Sequence, residues 1–270
     1  MEKREKVLKQ VQAKHELVKA YGEEYGYKFV LMTVLVGSQN YYLDTENSDV
    51  DTYSYVLPDY LDFICNSGPL ISKEISLADG SKAYIRDIRL GLNSLRKSSP
   101  NSVECFLSAY KVYDPFFEEI LHNYLDNDDT LFYLTHCNYK NMVDAVAGTV
   151  GGLHGRNMSL GKKYAHALRL KDLLDKYLDV SAFPSQYLIP YPKTLEIAFN
   201  AKNHSEDFTE EELEQEYNKI KDELNIFKEH YKIDDMGKRI EYLAAHNIDR
   251  LEYKLFDKYF ELNGLVRRTL

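Results

Sequence analysis

The run YKFVLMTVLV, Tyr27 to Val36, constrains this chain more than any other stretch. Aliphatic and β-branched side chains dominate it without polar alternation, so it reads as a strand buried in a sheet. Its most apolar part, Phe29 to Val36, spans eight residues, far short of the ~20 that a membrane-crossing helix needs. Gly37 ends the run and lets the backbone turn sharply. A strand of this kind needs cover on both faces, which a sheet flanked by helices supplies.

The next segment, GSQNYYLDTENSDVDTYSYVLP, raises a chemical question. Asp49 to Leu57 reads as a second strand closed by Pro58. Side chains alternate along a strand, so Asp49 and Asp51 share a face. Two carboxylates so close repel each other unless something positive lies between them. They are hard oxygen ligands suited to Mg²⁺, an ion usually held by one or two carboxylates plus substrate phosphates. Gly37 permits close approach of a ligand, and Ser38 offers a hydroxyl and an N–H to phosphate oxygens.

Composition narrows the classes. The chain has 270 residues, 44% of them apolar, and a net charge of -9. It is long enough to bury a proper core. Such an acidic surface repels a long nucleic-acid duplex, so an RNA end could be met only by a local basic patch. The three cysteines, Cys65, Cys105 and Cys137, lack C-x-x-C spacing. Their odd number and spacing argue against a disulfide framework and a thiolate zinc site, and they read as buried small hydrophobes. The first residues carry acids and no apolar h-region. The expectation is a cytoplasmic protein without a membrane segment.

Along the chain, Glu2 to Tyr21 has helical periodicity. KEISL-ADG-SKAYIRDI reads as a hairpin around Asp79 and Gly80, with Ala83, Ile85 and Asp87 on one face of its second arm. RLGLNSLRKS reads as a helix, Ser99-Pro100-Asn101 as a stop and new start, and AYKVYD as a further strand. From Pro115 the texture becomes helical: Phe116 to Leu125, Tyr133 to Val150, Gly161 to Leu178, Thr209 to Tyr231 and Met236 to Leu262. Thr209 and Glu212 have capping-box spacing, and Gly264 fits a helix stop. FPSQYLIPYPKT reads as a connection between helices. The expected fold is α+β: a mixed sheet with flanking helices over 1–114, then an all-helical region over 115–270.

The residues Gly37, Ser38, Tyr41, Ser48, Asp49 and Asp51 together resemble the signature of the DNA polymerase β-like nucleotidyltransferase superfamily. The likeness is closer to its minimal nucleotidyltransferase branch in bacteria and phages, with Tyr42 standing where that branch carries glycine. SSPNSVECFLS is similar to the branch's N-P-N-x-x-E segment at Pro100, Asn101 and Glu104, with Ser99 departing. GKKYAHALRLKDLL is similar to its K-x-x-x-H-x-x-R helix at Lys162, His166 and Arg169. The likeness spans Val34 to Leu174.

The resemblance implies Mg²⁺-dependent transfer of a nucleoside monophosphate from an NTP to an acceptor hydroxyl, with pyrophosphate released. Two ions would be held by Asp49 and Asp51, with Mn²⁺ as the alternative metal. A third carboxylate, joining a metal and taking the acceptor proton, would be Asp87, or Glu74 on the partnering arm. Paired with Arg86 or Arg89, Asp87 is instead an exposed strand residue. Ser38, Lys162 and Arg169 would grip the phosphates, with His166 beside them. Lys162, His166 and Arg169 share a helix stripe, which is otherwise a solvated face screened by Asp172 and Asp175. The acceptor could be a protein hydroxyl, an RNA 3′ end or a small molecule. The rival classes are a nucleotide-sensing or partner-binding module on the same fold, and a structural partner protein using its long helices. Glu104 reads as a helix-start acid or as a partner of Arg89 or Arg96, and His154 as a loop histidine.

Overall fold

The computed structural model describes residues 2–46, 48–125 and 127–262. The first half runs α1 (Glu2–Lys19), α2 (Gly22–Tyr25), β1 (Tyr27–Val36), β2 (Asp51–Pro58), α3 (Tyr60–Ile64), β3 (Ser72–Ser76), β4 (Lys82–Asp87), α4 (Ile88–Arg96), α5 (Pro100–Leu107) and β5 (Lys111–Tyr113). The five strands form one mixed sheet in the order β3-β4-β2-β1-β5. Only β2 and β4 run parallel. The apolar run is β1, paired on both sides as its composition demands. The β3–β4 hairpin turns at Asp79 and Gly80, where Gly80 takes a φ of 81° and Ser81 N–H donates to Asp79 Oδ1 at 2.9 Å.

Register divides the side chains between two faces. Thr33, Ser54 and Ile85 are in line on one face, and α1 covers it: His15 Nδ1 lies 2.9 Å from Thr33 Oγ1, which bonds Ser54 Oγ at 2.8 Å. Val34, Tyr53 and Tyr84 are in line on the other. There α4 and α5 pack on Tyr55, whose ring lies 5.9 Å from that of Phe106. Gly91 is required at that contact, since a Cβ on it would stand 2.5 Å from the Tyr55 ring.

The second half is helical: α6 (Pro115–Leu125), α7 (Asp128–Thr135), α8 (Tyr139–Gly152), α9 (Leu160–Leu178), α10 (Pro192–Asn203), α11 (Glu210–His230) and α12 (Asp235–Leu262). The Thr209–Glu212 capping box forms at the start of α11. The long α12 returns to the sheet, where Tyr259 Oη donates to the Pro58 carbonyl at 2.9 Å and Arg96 pairs with Asp249 at 2.9 Å. One apolar core runs from Leu31 and Tyr55 in the sheet to Leu251 and Tyr259 in α12. The change of texture at Pro115 is therefore a change of secondary structure within a shared core. No helix among the described residues is long and apolar enough to cross a membrane.

Three boundaries differ from the sequence expectation. The second strand begins at Asp51, not Asp49. The periodicity from Tyr133 to Val150 is broken, because Asn138 caps a new helix by accepting from Asn141 N–H at 2.8 Å. The stretch read as a connection ends in α10, which Pro192 opens from the first helical turn, where a missing N–H costs nothing. Gly264 lies outside the described residues.

Candidate active site

Gly37 leaves β1 with φ 88°, a conformation that favours glycine, and a short 3₁₀ turn follows over Ser38–Tyr41. Tyr42 closes that turn at φ 58°. The position where the resembled branch carries glycine thus keeps a glycine-like backbone with a tyrosine on it. Two bonds hold the turn from behind: Asn40 Nδ2 donates to the Leu35 carbonyl, and Ser108 Oγ donates to Asn40 Oδ1 at 2.7 Å.

Asp51 opens β2 opposite Val36, on the same face as Tyr53. A Cβ on Gly37 would stand 3.9 Å from Asp51 Oδ2. Val50 packs into the apolar cluster of Val7, Val11, Leu35 and Tyr110, which leaves Asp49 and Asp51 exposed. The charge built in beside them is Lys14 of α1. Its ammonium donates to the carbonyls of Val50 at 2.6 Å and Lys82 at 2.9 Å. Burial pulls the Lys14 pKa down, and attraction from Asp51, Asp79 and Asp49 opposes it.

Three segments far apart in sequence converge behind the turn. Tyr41 Oη donates to Glu104 Oε2 at 2.6 Å, Arg169 Nη1 donates to Glu104 Oε1, and the Arg169 guanidinium lies 3.9 Å over the Tyr41 ring. Glu104 and Arg169 are buried, with side chains 8% and 5% exposed. Burial works against the Arg169 charge, and Glu104 beside it outweighs that and keeps the guanidinium protonated. Burial is also the main cause that pushes the Tyr41 hydroxyl well above its usual pKa. Glu104 is therefore the partner of Arg169, and neither Arg89 nor Arg96 reaches it.

In front of this junction lies a cavity of about 360 Å³ lined by residues of both halves. Gly37, Ser38 and Tyr53 come from the sheet, Asn101 and Glu104 from α5, and Lys162, His166 and Arg169 from α9. The helix stripe therefore faces a cavity, and its predicted screens are occupied elsewhere: Asp172 pairs with Lys176 at 2.7 Å and Asp175 with Lys171 at 3.2 Å. His166 is not cationic. Burial, then Arg169 and Arg156, lower its pKa to about 3. Its Nδ1 lies 3.4 Å from Arg169 Nη2, an N–H donor, which assigns the imidazole proton to Nε2.

Asp87 does not join the site. It pairs with Val56, so it sits on the α1 face of the sheet, opposite to Asp51. Its side chain is wholly buried, pairs with Arg89 at 2.7 Å, and caps α4 by accepting from Arg89 N–H at 2.8 Å. An arginine already matches this carboxylate inside the fold: the expected pairing with Arg89 is present, but on a buried residue and not on an exposed one. Glu74 lies in line with Tyr84 on the Asp51 face, on the edge strand β3, and bonds Lys82 at 2.6 Å. Cys105 and Cys137 are buried with thiols pushed up to about 12, chiefly by burial, whereas Cys65 is exposed. His154 is an exposed turn residue whose carbonyl accepts from Lys163 at 3.0 Å.

Sequence reading missed Lys14, Arg156 and Lys202, all of which carry charge at the site. Arg156 lies two positions after His154 in the same short turn. The signal for Lys202 lay in Leu195, Ala198 and Ala201, spaced three apart after a proline.

Fold and site together define an α+β protein with a cation-lined cavity and, in a second pocket shared with Lys14, Asp79 and Lys82, an exposed aspartate pair whose Asp51 approaches Gly37 of the cavity wall. Protein-family models and curated proteins yield no match to the chain. Among the described residues no three His, Cys, Asp or Glu side chains are placed to hold a metal ion by themselves. Two exposed hard-oxygen donors lining one pocket nevertheless fit Mg²⁺ or Mn²⁺ when phosphate oxygens complete the shell.

Proposed function

We propose that the protein is a metal-dependent nucleotidyltransferase moving a nucleoside monophosphate from an NTP to an acceptor hydroxyl. The observation that carries this reading is the convergence of Tyr41, Glu104 and Arg169 behind a cavity that also takes in Gly37, Ser38 and Lys162. These residues come from the three segments that resemble the superfamily. Unrelated surface features would have no reason to share one buried network.

In this reading the Ser38 turn and the cationic wall hold the triphosphate, while Leu43, Tyr53 and Met158 offer apolar surface to base and sugar. Asp49 and Asp51 would hold Mg²⁺, which when bound neutralises phosphate charge and lowers the acceptor hydroxyl's pKa. The acceptor oxygen forms a bond to the α-phosphorus, the bond from that phosphorus to the bridging oxygen of pyrophosphate breaks, and pyrophosphate leaves. The acceptor proton passes to water, to which the Asp49–Asp51 edge is open. The chain's own part is positioning and charge matching, which is most of what phosphoryl-type transfer requires.

A second reading, nucleotide sensing without transfer, is favoured by one observation: Asp87 lies on the far face of the sheet. Incubation with α-labelled NTPs, Mg²⁺ or Mn²⁺, and in turn RNA, protein or small-molecule acceptors separates the two. Label on an acceptor, lost in Asp51→Ala, supports transfer. Saturable NTP binding with no labelled acceptor and no pyrophosphate supports sensing.

A further inference from the structure

The cations of the α9 stripe and the cavity cations without a carboxylate partner among the described residues coincide only at Lys162. Arg169 is committed to Glu104 and stacked on Tyr41, and His166 is neutral. Lys162 remains, and the fold supplies two more cations to the same cavity, Lys202 from α10 and Arg156 from the turn before α9. We propose that Lys162, Lys202 and Arg156 form a polyphosphate clamp, with the crossing of α9 and α10 gripping the triphosphate and Arg169 serving only as scaffold. The inference rests on the cavity being where a nucleoside triphosphate is held.

The helix crossing carries the argument. A Cβ on Gly161 would stand 1.9 Å from the Ala201 carbonyl, so only glycine allows this approach. The residues that follow, Lys162 and Lys202, are thereby brought onto one wall. Like charges set side by side are unfavourable unless an anion lies between them. Lys202 shows the effect: burial first, and then the Lys162 charge, lower its pKa, with Asp44 opposing less strongly. Among the described residues, none of the three cations has a carboxylate within ion-pair distance. The α9 chain enters this wall by its first turn, capped by Ser159, where helix amides add positive potential.

Lys202 is also placed to sense the loop. Its ammonium donates to the Leu43 carbonyl at 2.6 Å, and Asn203 Nδ2 approaches the same oxygen at 3.4 Å. Leu43 N–H in turn donates to the Ser38 carbonyl at 3.0 Å. The lysine thus anchors the phosphate-facing turn from the helical half of the protein.

Inorganic tripolyphosphate is the probe, because it tests the clamp without base, sugar or turnover. Calorimetric titration of the full chain should show binding that Lys202→Met and Lys162→Met each weaken about 10- to 100-fold, the contribution of a hydrogen bond to a charged group. Lys202→Arg, which keeps the charge, should bind close to wild type. Lys162 is exposed, so Lys162→Met decides the matter if Lys202→Met does not fold. Unchanged affinity in the methionine variants, or no tripolyphosphate binding by the wild type, overturns the clamp. NTP transfer is measured beside it. Lysine-dependent binding without transfer leaves the clamp and removes the transferase; transfer with unaffected methionine variants does the reverse.

Discussion

The sheet edge at Asp49 and Asp51 and the buried junction at Glu104 keep carboxylates in opposite ways. Glu104 lies in the interior and is matched there by Arg169 and by the Tyr41 hydroxyl. Asp87, under the sheet, is matched in the same manner by Arg89. Asp49 and Asp51 are exposed and among the described residues have no arginine, only an ammonium that Val50 and Lys82 carbonyls hold. A buried carboxylate needs its cation from the chain, because desolvating a bare charge costs several kcal/mol. An exposed pair can wait for an external one. The contrast therefore separates carboxylates that hold the fold together from carboxylates available to chemistry.

The largest effect expected from this contrast is on turnover. Asp51→Ala or Asp49→Ala should lower labelled-NTP transfer by at least about 10²-fold, the scale of losing one preorganised charge contact. The melting temperature should hold or rise slightly, since like-charge repulsion is relieved. Full activity in both variants breaks the assignment of the edge.

The junction should respond in the opposite sense. Arg169→Met leaves Glu104 buried without its cation, and about 3–5 kcal/mol of stability should disappear. Chemical denaturation reads this directly. Adding Glu104→Gln to the same chain should restore part of the loss, because no bare charge then remains. Equal stability of wild type and Arg169→Met would place Arg169 among the ligand-binding groups instead.

Asp87 offers a smaller and sharper test. Asp87→Asn keeps an acceptor for the α4 cap but weakens the Arg89 pair, so a loss of about 1–3 kcal/mol is expected. The transfer rate per folded molecule should stay near wild type. A rate loss on the order of 10²–10⁴-fold at unchanged stability, as for a general base, would return Asp87 to the chemistry.

Acid sensitivity is the smallest effect per pH unit. Burial chiefly holds His15 neutral, down to about 4, and His166 down to about 3. In the unfolded chain both titrate near the ordinary ~6.5. Unfolding below that pH takes up protons, so their contribution is complete above it and is lost as pH falls toward their folded values. Each histidine should add a slope of at most about 1.4 kcal/mol per pH unit across that window. A urea midpoint that stays flat from pH 7 to 5 would show that the two rings are already open to solvent.

Part of this architecture is local and therefore legible in the residues. The β1 run, the turn at Gly37, the hairpin at Gly80 and the Thr209 cap each depend on side chains within a few positions of one another. Alternation along Asp-Val-Asp put the two aspartates on one face; both are exposed and Val50 packs inward, although the strand itself begins only at Asp51. Alternation also put Ala83, Ile85 and Asp87 on one face, yet no local rule says which face meets the helical half.

That choice belonged to tertiary structure. The parallel pairing of β2 with β4 put Asp87 on the face of the sheet opposite to Asp51, and a buried arginine then settled its charge. Likewise the α9 stripe announced three basic positions, but only packing decided among them. Arg169 turned inward to Glu104, a partner 65 residues away, while Lys202 arrived because Gly161 lets α10 lie against α9. Short-range propensity fixes elements and their faces. Which charges meet depends on contacts between distant segments, whose energies exist only once the core has closed.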